Sequence, residues 1–90
     1  MEAGGNAWYV YVLECSDKSL YTGVTNSLGK RFYAHNSGKG AKYTRARLPV
    51  RVVYYEKKRD RNSAMRREAQ IKGMTRAEKL DIIRKINPEV

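Results

Sequence analysis

Trp8–Cys15 (WYVYVLEC) is the segment that most restricts the fold, because aromatic and β-branched residues fall on both of its faces. A strand with one apolar face can border solvent, whereas one that is apolar on both sides needs cover on both. The segment is therefore expected to be the interior strand of a small sheet with helices packed on it. Ser16-Asp17-Lys18-Ser19 is a polar break suited to a hairpin, and Leu20–Thr25 (LYTGVT) reads as the return strand. Gly23, lacking a side chain inside that strand, lets another backbone or a ligand come close.

The remaining elements follow from caps and periodicity. Asn26 or Ser27 opens a helix that ends near Asn36 and stops at Ser37-Gly38, with Leu28 and Phe32 facing the core. Gly38–Leu48 is a Gly- and Lys-rich loop closed by Pro49, and Val50–Glu56 (VRVVYYE) is a third strand. Asn62 or Ser63 starts a second helix carrying Ala64, Met65, Glu68 and Ile71, stopped at Gly73. Thr75-Arg76-Ala77-Glu78 is a capping-box pattern for a third helix with Leu80, Ile82, Ile83 and Ile86 apolar, and Pro88 lies past its end. The expectation is an α+β fold of order ββαβαα with a small, largely antiparallel sheet.

Ninety residues, 41% hydrophobic and 31% charged, suit one folded domain over 1–90 with a core from about 8 to 86. No run of about 18 apolar residues is present, so no membrane span is expected. Met1–Asn6 lacks the basic and apolar stretches of a signal peptide. The lone Cys15 allows neither an internal disulfide nor a zinc framework, which suits a reducing, cytoplasmic setting.

Charge narrows the partner. Lys and Arg number 19 against 9 Asp and Glu, a net +10, and no acidic residue occurs between Asp17 and Glu56. That stretch holds Lys18, Lys30, Arg31, Lys39, Lys42, Arg45, Arg47 and Arg51, which repel one another in a compact chain. Phosphates relieve the repulsion, and the release of their counterions favours binding. A solubilising basic face, or one that docks on an acidic protein, is the plainer alternative.

Three features depart from ordinary structural choices. Tyr11 and Tyr21 sit mid-strand on the two arms of the hairpin, although tyrosine also packs well in strands. Arg31 and His35, four apart on the first helix, place a cation beside the only histidine; such a pair weakens an isolated helix unless a partner joins it. Glu68 shares a helical face with Ala64 and Ile71, where a carboxylate must be paired or bind a cation. A salt bridge to Arg66, Arg67 or Lys72 would serve, and so would a hard divalent ion.

Tyr9-Val10-Tyr11, Tyr21-Thr22-Gly23, Arg31, His35 and a helical Glu68, in that order, resemble the GIY-YIG nuclease superfamily, most closely its small stand-alone bacterial members. The likeness runs from about Trp8 to Lys72. It implies a three-stranded mixed sheet flanked by helices and metal-dependent endonuclease hydrolysis of phosphodiesters, DNA more than RNA. It also implies that Tyr11 and Tyr21 are the motif tyrosines, Arg31 a phosphate clamp, His35 an auxiliary proton carrier and Glu68 the single ligand to one Mg²⁺ or Mn²⁺. Two departures stand out. The first motif reads Tyr-Val-Tyr rather than Gly-Ile-Tyr, and the asparagine many members carry past the glutamate is absent before Asn87.

The implied chemistry is physically coherent. A cation on Glu68 stabilises the leaving oxygen, and Arg31 holds the non-bridging oxygens. A phenol with a reference pKa near 10 is ionised in only about one molecule per thousand at pH 7. Clustered cations are expected to lower that pKa and make Tyr21 or Tyr11 a general base. Lys30, Lys39, Lys42, Tyr43 and Arg45 read as substrate contacts, with weak base-specific reading. The alternative is a nucleic-acid-binding module of the same fold with weak or lost catalysis.

Overall fold

A computed structural model describes residues 7–86. The elements are β1 (Trp8–Glu14), β2 (Leu20–Thr25), α1 (Leu28–Asn36), α2 (Lys42–Arg45), β3 (Arg51–Lys58), α3 (Arg61–Lys72) and α4 (Arg76–Ile86). The sheet order is β2-β1-β3, with β1 in the centre as its two-sided apolar pattern requires. Both ladders are antiparallel, so a sheet expected to be largely antiparallel has only antiparallel neighbours. Met1–Asn6, Asn87 and Pro88 lie outside the described residues.

Residues 10–13 of β1 are at most 1% exposed because each face has its own cluster. Val10 and Val12 pack with Val53, Tyr54, Ala64 and Ile71 of α3, and Ile83 of α4. Tyr11 and Leu13 pack on the other face with Cys15 and Val50, flanked by Leu28 and Phe32 of α1. The hairpin closes where Lys18 takes a left-handed φ of 71°. Cys15 N–H donates to the Ser19 carbonyl at 2.9 Å. Opposite, β1 and β3 change register between Val12, which pairs with Tyr54, and Leu13, which pairs with Val52; the extra residue, Val53, turns into the first cluster.

Several boundaries differ from the sequence expectation. The loop after α1 contains one helical turn, α2, so the observed order has two helices between β2 and β3. α3 starts before Asn62 because Asp60 is the better-placed cap, its Oδ1 accepting from Ser63 N–H at 2.8 Å. Met65 is 41% exposed on α3, and Ile86 is 68% exposed at the end of α4. The capping box forms in both directions: Thr75 N–H donates to Glu78 Oε1 at 2.8 Å, and Glu78 N–H to Thr75 Oγ1 at 3.1 Å. α3 is tied to the sheet by Arg67, which donates to both oxygens of Glu56 on β3 at 3.0–3.1 Å. Among the described residues no helix is long and apolar enough to cross a membrane.

Candidate active site

The site begins with a cross-strand pair. Tyr11 opposes Gly23 in the β1–β2 ladder, and its ring lies across the glycine. A Cβ at position 23 would come 2.5 Å from the Tyr11 hydroxyl oxygen, so the space left by Gly23 is occupied by Tyr11 itself. Helical spacing then aims two side chains of α1 at that oxygen. Arg31 Nε donates to it at 3.4 Å, a long bond, and His35 Nε2 lies 3.0 Å away. The partner that the Arg31–His35 pair requires is thus Tyr11.

His35 is fully buried, which is unusual for its residue type. Its Nδ1 lies 2.8 Å from Thr44 Oγ1 on α2, and Thr44 is buried as completely. Gly40 makes this approach possible, since a Cβ there would stand 2.3 Å from His35 Nδ1 (a contact no side chain tolerates). Burial, reinforced by the Arg31 charge, pushes the imidazole pKa below its ordinary 6.5.

Tyr11 is shifted the other way from the expectation. Burial raises its pKa above 10; the Arg31 hydrogen bond and charge oppose this, while Tyr21 and Glu68 add to it. Desolvation outweighs one guanidinium at the long end of bonding range, so a standing phenolate at Tyr11 is disfavoured. The Arg31 pKa rises in return, chiefly through its bond to Tyr11.

Tyr21 is half-buried and leads from this centre to the surface. Its ring is 5.4 Å from His35, edge to face, and 6.4 Å from Tyr11. It stacks on Tyr43 at 6.2 Å and 20°, and the Arg47 guanidinium covers Tyr43 at 3.9 Å. Arg47 is held in turn by Asp17 Oδ2 at 3.1 Å. Lys30, Lys39, Lys42, Tyr43 and Arg45 are all exposed, on α1, on α2 and in the turn between them.

Glu68 sits at the margin of the α3 face rather than in its middle. Ala64 and Ile71 are fully buried, whereas the Glu68 side chain is 20% exposed and pairs with Lys72 Nζ at 3.2 Å. The salt bridge named as an alternative therefore forms, but an exposed i,i+4 pair contributes only about 0.3–0.5 kcal/mol and yields readily. The carboxylate is close enough to the phenol for its charge to help raise the Tyr11 pKa.

Four neighbours were not singled out from the sequence: Gly40, Thr44, Arg47 and Asn36. The Asn36 amide donates to the Val50 carbonyl at 2.9 Å and accepts from Val50 N–H at 2.8 Å. Gly40 and Thr44 lie in a segment whose sequence signal is its lysines, and no local spacing ties them to His35.

Residues 7–81 match the GIY-YIG catalytic domain, and the chain belongs to the GIY-YIG family. Endonuclease activity is what that domain implies. Within the family the chain is similar to small proteins named UPF0213. One from Syntrophus aciditrophicus is 57% identical over 82 residues, which are 90% of this chain and 93% of the relative. Another, from Clostridium perfringens, is 56% identical over 75 residues, covering 83% and 81%. The solution structure of a UPF0213 protein from Bacillus halodurans superposes with a TM-score of 0.59 at 42% identity, over 89% of this chain and 85% of that one.

Proposed function

We propose that the protein is a metal-dependent endonuclease that hydrolyses phosphodiester bonds of DNA. The observation that carries the reading is the Tyr11 hydroxyl held between Arg31 Nε and His35 Nε2. A phenol alone is a poor base at neutral pH, and burial makes this one poorer. A phenol bonded to a neutral imidazole avoids that cost. As water attacks phosphorus, its proton passes to the Tyr11 oxygen while the Tyr11 proton passes to His35 Nε2. The oxygen of the attacking water joins phosphorus, the bond to the leaving oxygen breaks, and that oxygen takes a proton from solvent. The buried imidazolium later returns its proton to the Tyr11 oxygen, which passes its own on to solvent. Arg31, beside the phenol, holds the non-bridging oxygens and offsets the charge that develops there. Tyr21 is the wall between this centre and the exposed Tyr43–Arg47 stack, along which the nucleic acid lies.

Among the described residues no three His, Cys, Asp or Glu side chains cluster as a metal cage. The partly exposed Glu68 carboxylate fits a cation that takes few protein ligands, as Mg²⁺ does when it binds one or two carboxylates together with substrate phosphates. Glu68 would hold Mg²⁺ or Mn²⁺, whose charge stabilises the leaving oxygen.

The Lys72–Glu68 pair favours a second reading, a binding module whose lysine has taken the place of the cation. A panel of branched, single- and double-stranded DNA and RNA, with Mg²⁺ or Mn²⁺, separates the two. The nuclease reading expects cleavage by wild type, loss with chelator and loss in Glu68→Ala with binding retained. Binding without cleavage in any metal leaves the module, and cleavage that survives Glu68→Ala overturns the assigned ligand.

A further inference from the structure

We propose that Thr44 is the positioning residue that sets the direction of proton transfer at this centre, by holding His35 in the tautomer with its proton on Nδ1. The consequence for catalysis rests on the nuclease reading; the tautomer does not.

The assignment follows from counting protons. A threonine hydroxyl has one proton and two lone pairs. Thr44 Oγ1 lies 3.0 Å from the Ala41 carbonyl oxygen, which can only accept, so the hydroxyl proton is spent there. Toward His35 Nδ1, at 2.8 Å, the same oxygen can then only accept, and Nδ1 carries the hydrogen. A neutral imidazole has a single N–H, so Nε2 presents a lone pair to Tyr11 at 3.0 Å and the phenol donates to it. Arg31 Nε, which can only donate, takes one of the two acceptor lone pairs of the phenol oxygen. The donors run one way, from Arg31 through Tyr11, His35 and Thr44 to the Ala41 carbonyl.

The opposite tautomer breaks this series twice. It sets the Nδ1 lone pair against a Thr44 oxygen whose proton is already committed, and it puts a hydrogen on the nitrogen that accepts from the phenol, so the Tyr11 proton loses its acceptor. Both losses fall among fully or almost fully buried groups, where an unmet polar atom costs about 1–3 kcal/mol. The charged form after transfer is, by contrast, satisfied: Nδ1–H still donates to Thr44, and the new Nε2–H donates back to the Tyr11 oxygen, which has taken the water's proton. Thr44 thus prepares His35 to take the Tyr11 proton and forbids it from offering one. Gly40 belongs to the same device, because only a residue without Cβ lets this turn reach Nδ1.

His35 is the only histidine in the chain, so its ring nitrogens can be read by long-range ¹H–¹⁵N NMR without ambiguity. At pH 7.5 the wild type is expected to show a protonated Nδ1 and a bare Nε2. Thr44→Val is expected to move the ring toward the Nε2–H tautomer and to lower kcat roughly 100-fold with KM little changed, and Thr44→Ser to restore both. An Nε2–H ring in wild type overturns the proposal even if Thr44→Val fails to fold, and so does a Thr44→Val variant that keeps Nδ1–H. The expected tautomer in a wild type that cleaves nothing supports the hydrogen-bond assignment and overturns the nuclease reading instead.

Discussion

The Tyr11 ring lies across Gly23 so closely that a single methyl group at residue 23 would stand 2.5 Å from the phenol oxygen. A strand glycine usually weakens a sheet; here it is what allows a central-strand side chain to reach the first helix. Gly23→Ala is expected to push the phenol away from Arg31 and His35 and to cost roughly 1–3 kcal/mol of stability. Urea denaturation measures the second effect, and a changed His35 ring signal the first.

In the proposed mechanism Tyr11→Phe removes the proton passed to His35 while keeping the ring. It is expected to fold, to bind DNA as wild type does, and to cleave at least roughly 100-fold more slowly. Single-turnover cleavage beside a binding titration checks both halves. Unchanged cleavage would move the base to Tyr21.

The lowered His35 pKa sets an acid limit. Below pH 6.5 the unfolded chain takes up a proton that the folded chain refuses, so stability falls as pH drops through that value and below. The proposed cleavage step also needs the imidazole neutral, and its acid limb is expected below pH 6.5. Arg31 contributes to the depression, so Arg31→Met should move the His35 titration back toward 6.5, as an NMR titration would show.

Glu56 marks the other pH window. Burial works to raise its pKa, but hydrogen bonds from Arg67, Tyr54 and Lys58 prevail and hold it at about 2 against an ordinary 4.5. Its contribution to stability is whole above pH 4.5 and fades as pH falls toward 2. Glu56→Gln leaves Arg67 without its carboxylate and is expected to cost roughly 1–3 kcal/mol at neutral pH, with a shallower acid denaturation curve.

On the proposed reading the exposed cations are expected to supply affinity rather than chemistry. Lys42→Ala with Arg45→Ala should reduce the slope of log K against log salt by roughly one for each phosphate contact removed, with cleavage at saturation preserved. An unchanged slope would take those side chains off the substrate path.

Much of the fold was legible because local rules sufficed. The two apolar faces of Trp8–Cys15 made β1 central, and the Thr75–Glu78 box marked the start of α4. Arg31 and His35 could be paired from their spacing alone, and both meet Tyr11. What escaped depends on three-dimensional detail. Asp60, Asn62 and Ser63 all have capping chemistry, and only the chain path selects Asp60. The direction of the Tyr11 shift depends on how deeply the phenol is buried, which spacing does not encode. Thr44 meets His35 only because α2 folds back beside α1, and its type carries no signature of that role.

The Asn36–Val50 amide pairing has a consequence for the segment it encloses. It works like a clasp on a necklace: the cation-bearing stretch between those residues begins and ends at one fastened point, where α1 stops and β3 is about to begin. Changes of length or sequence along the outer curve of that ring, away from Gly40 and Thr44, can then reshape the surface offered to a substrate without tugging on the helix that carries Arg31 and His35. On the proposed reading, substrate contacts along that outer curve can vary while the clasp keeps the centre in place.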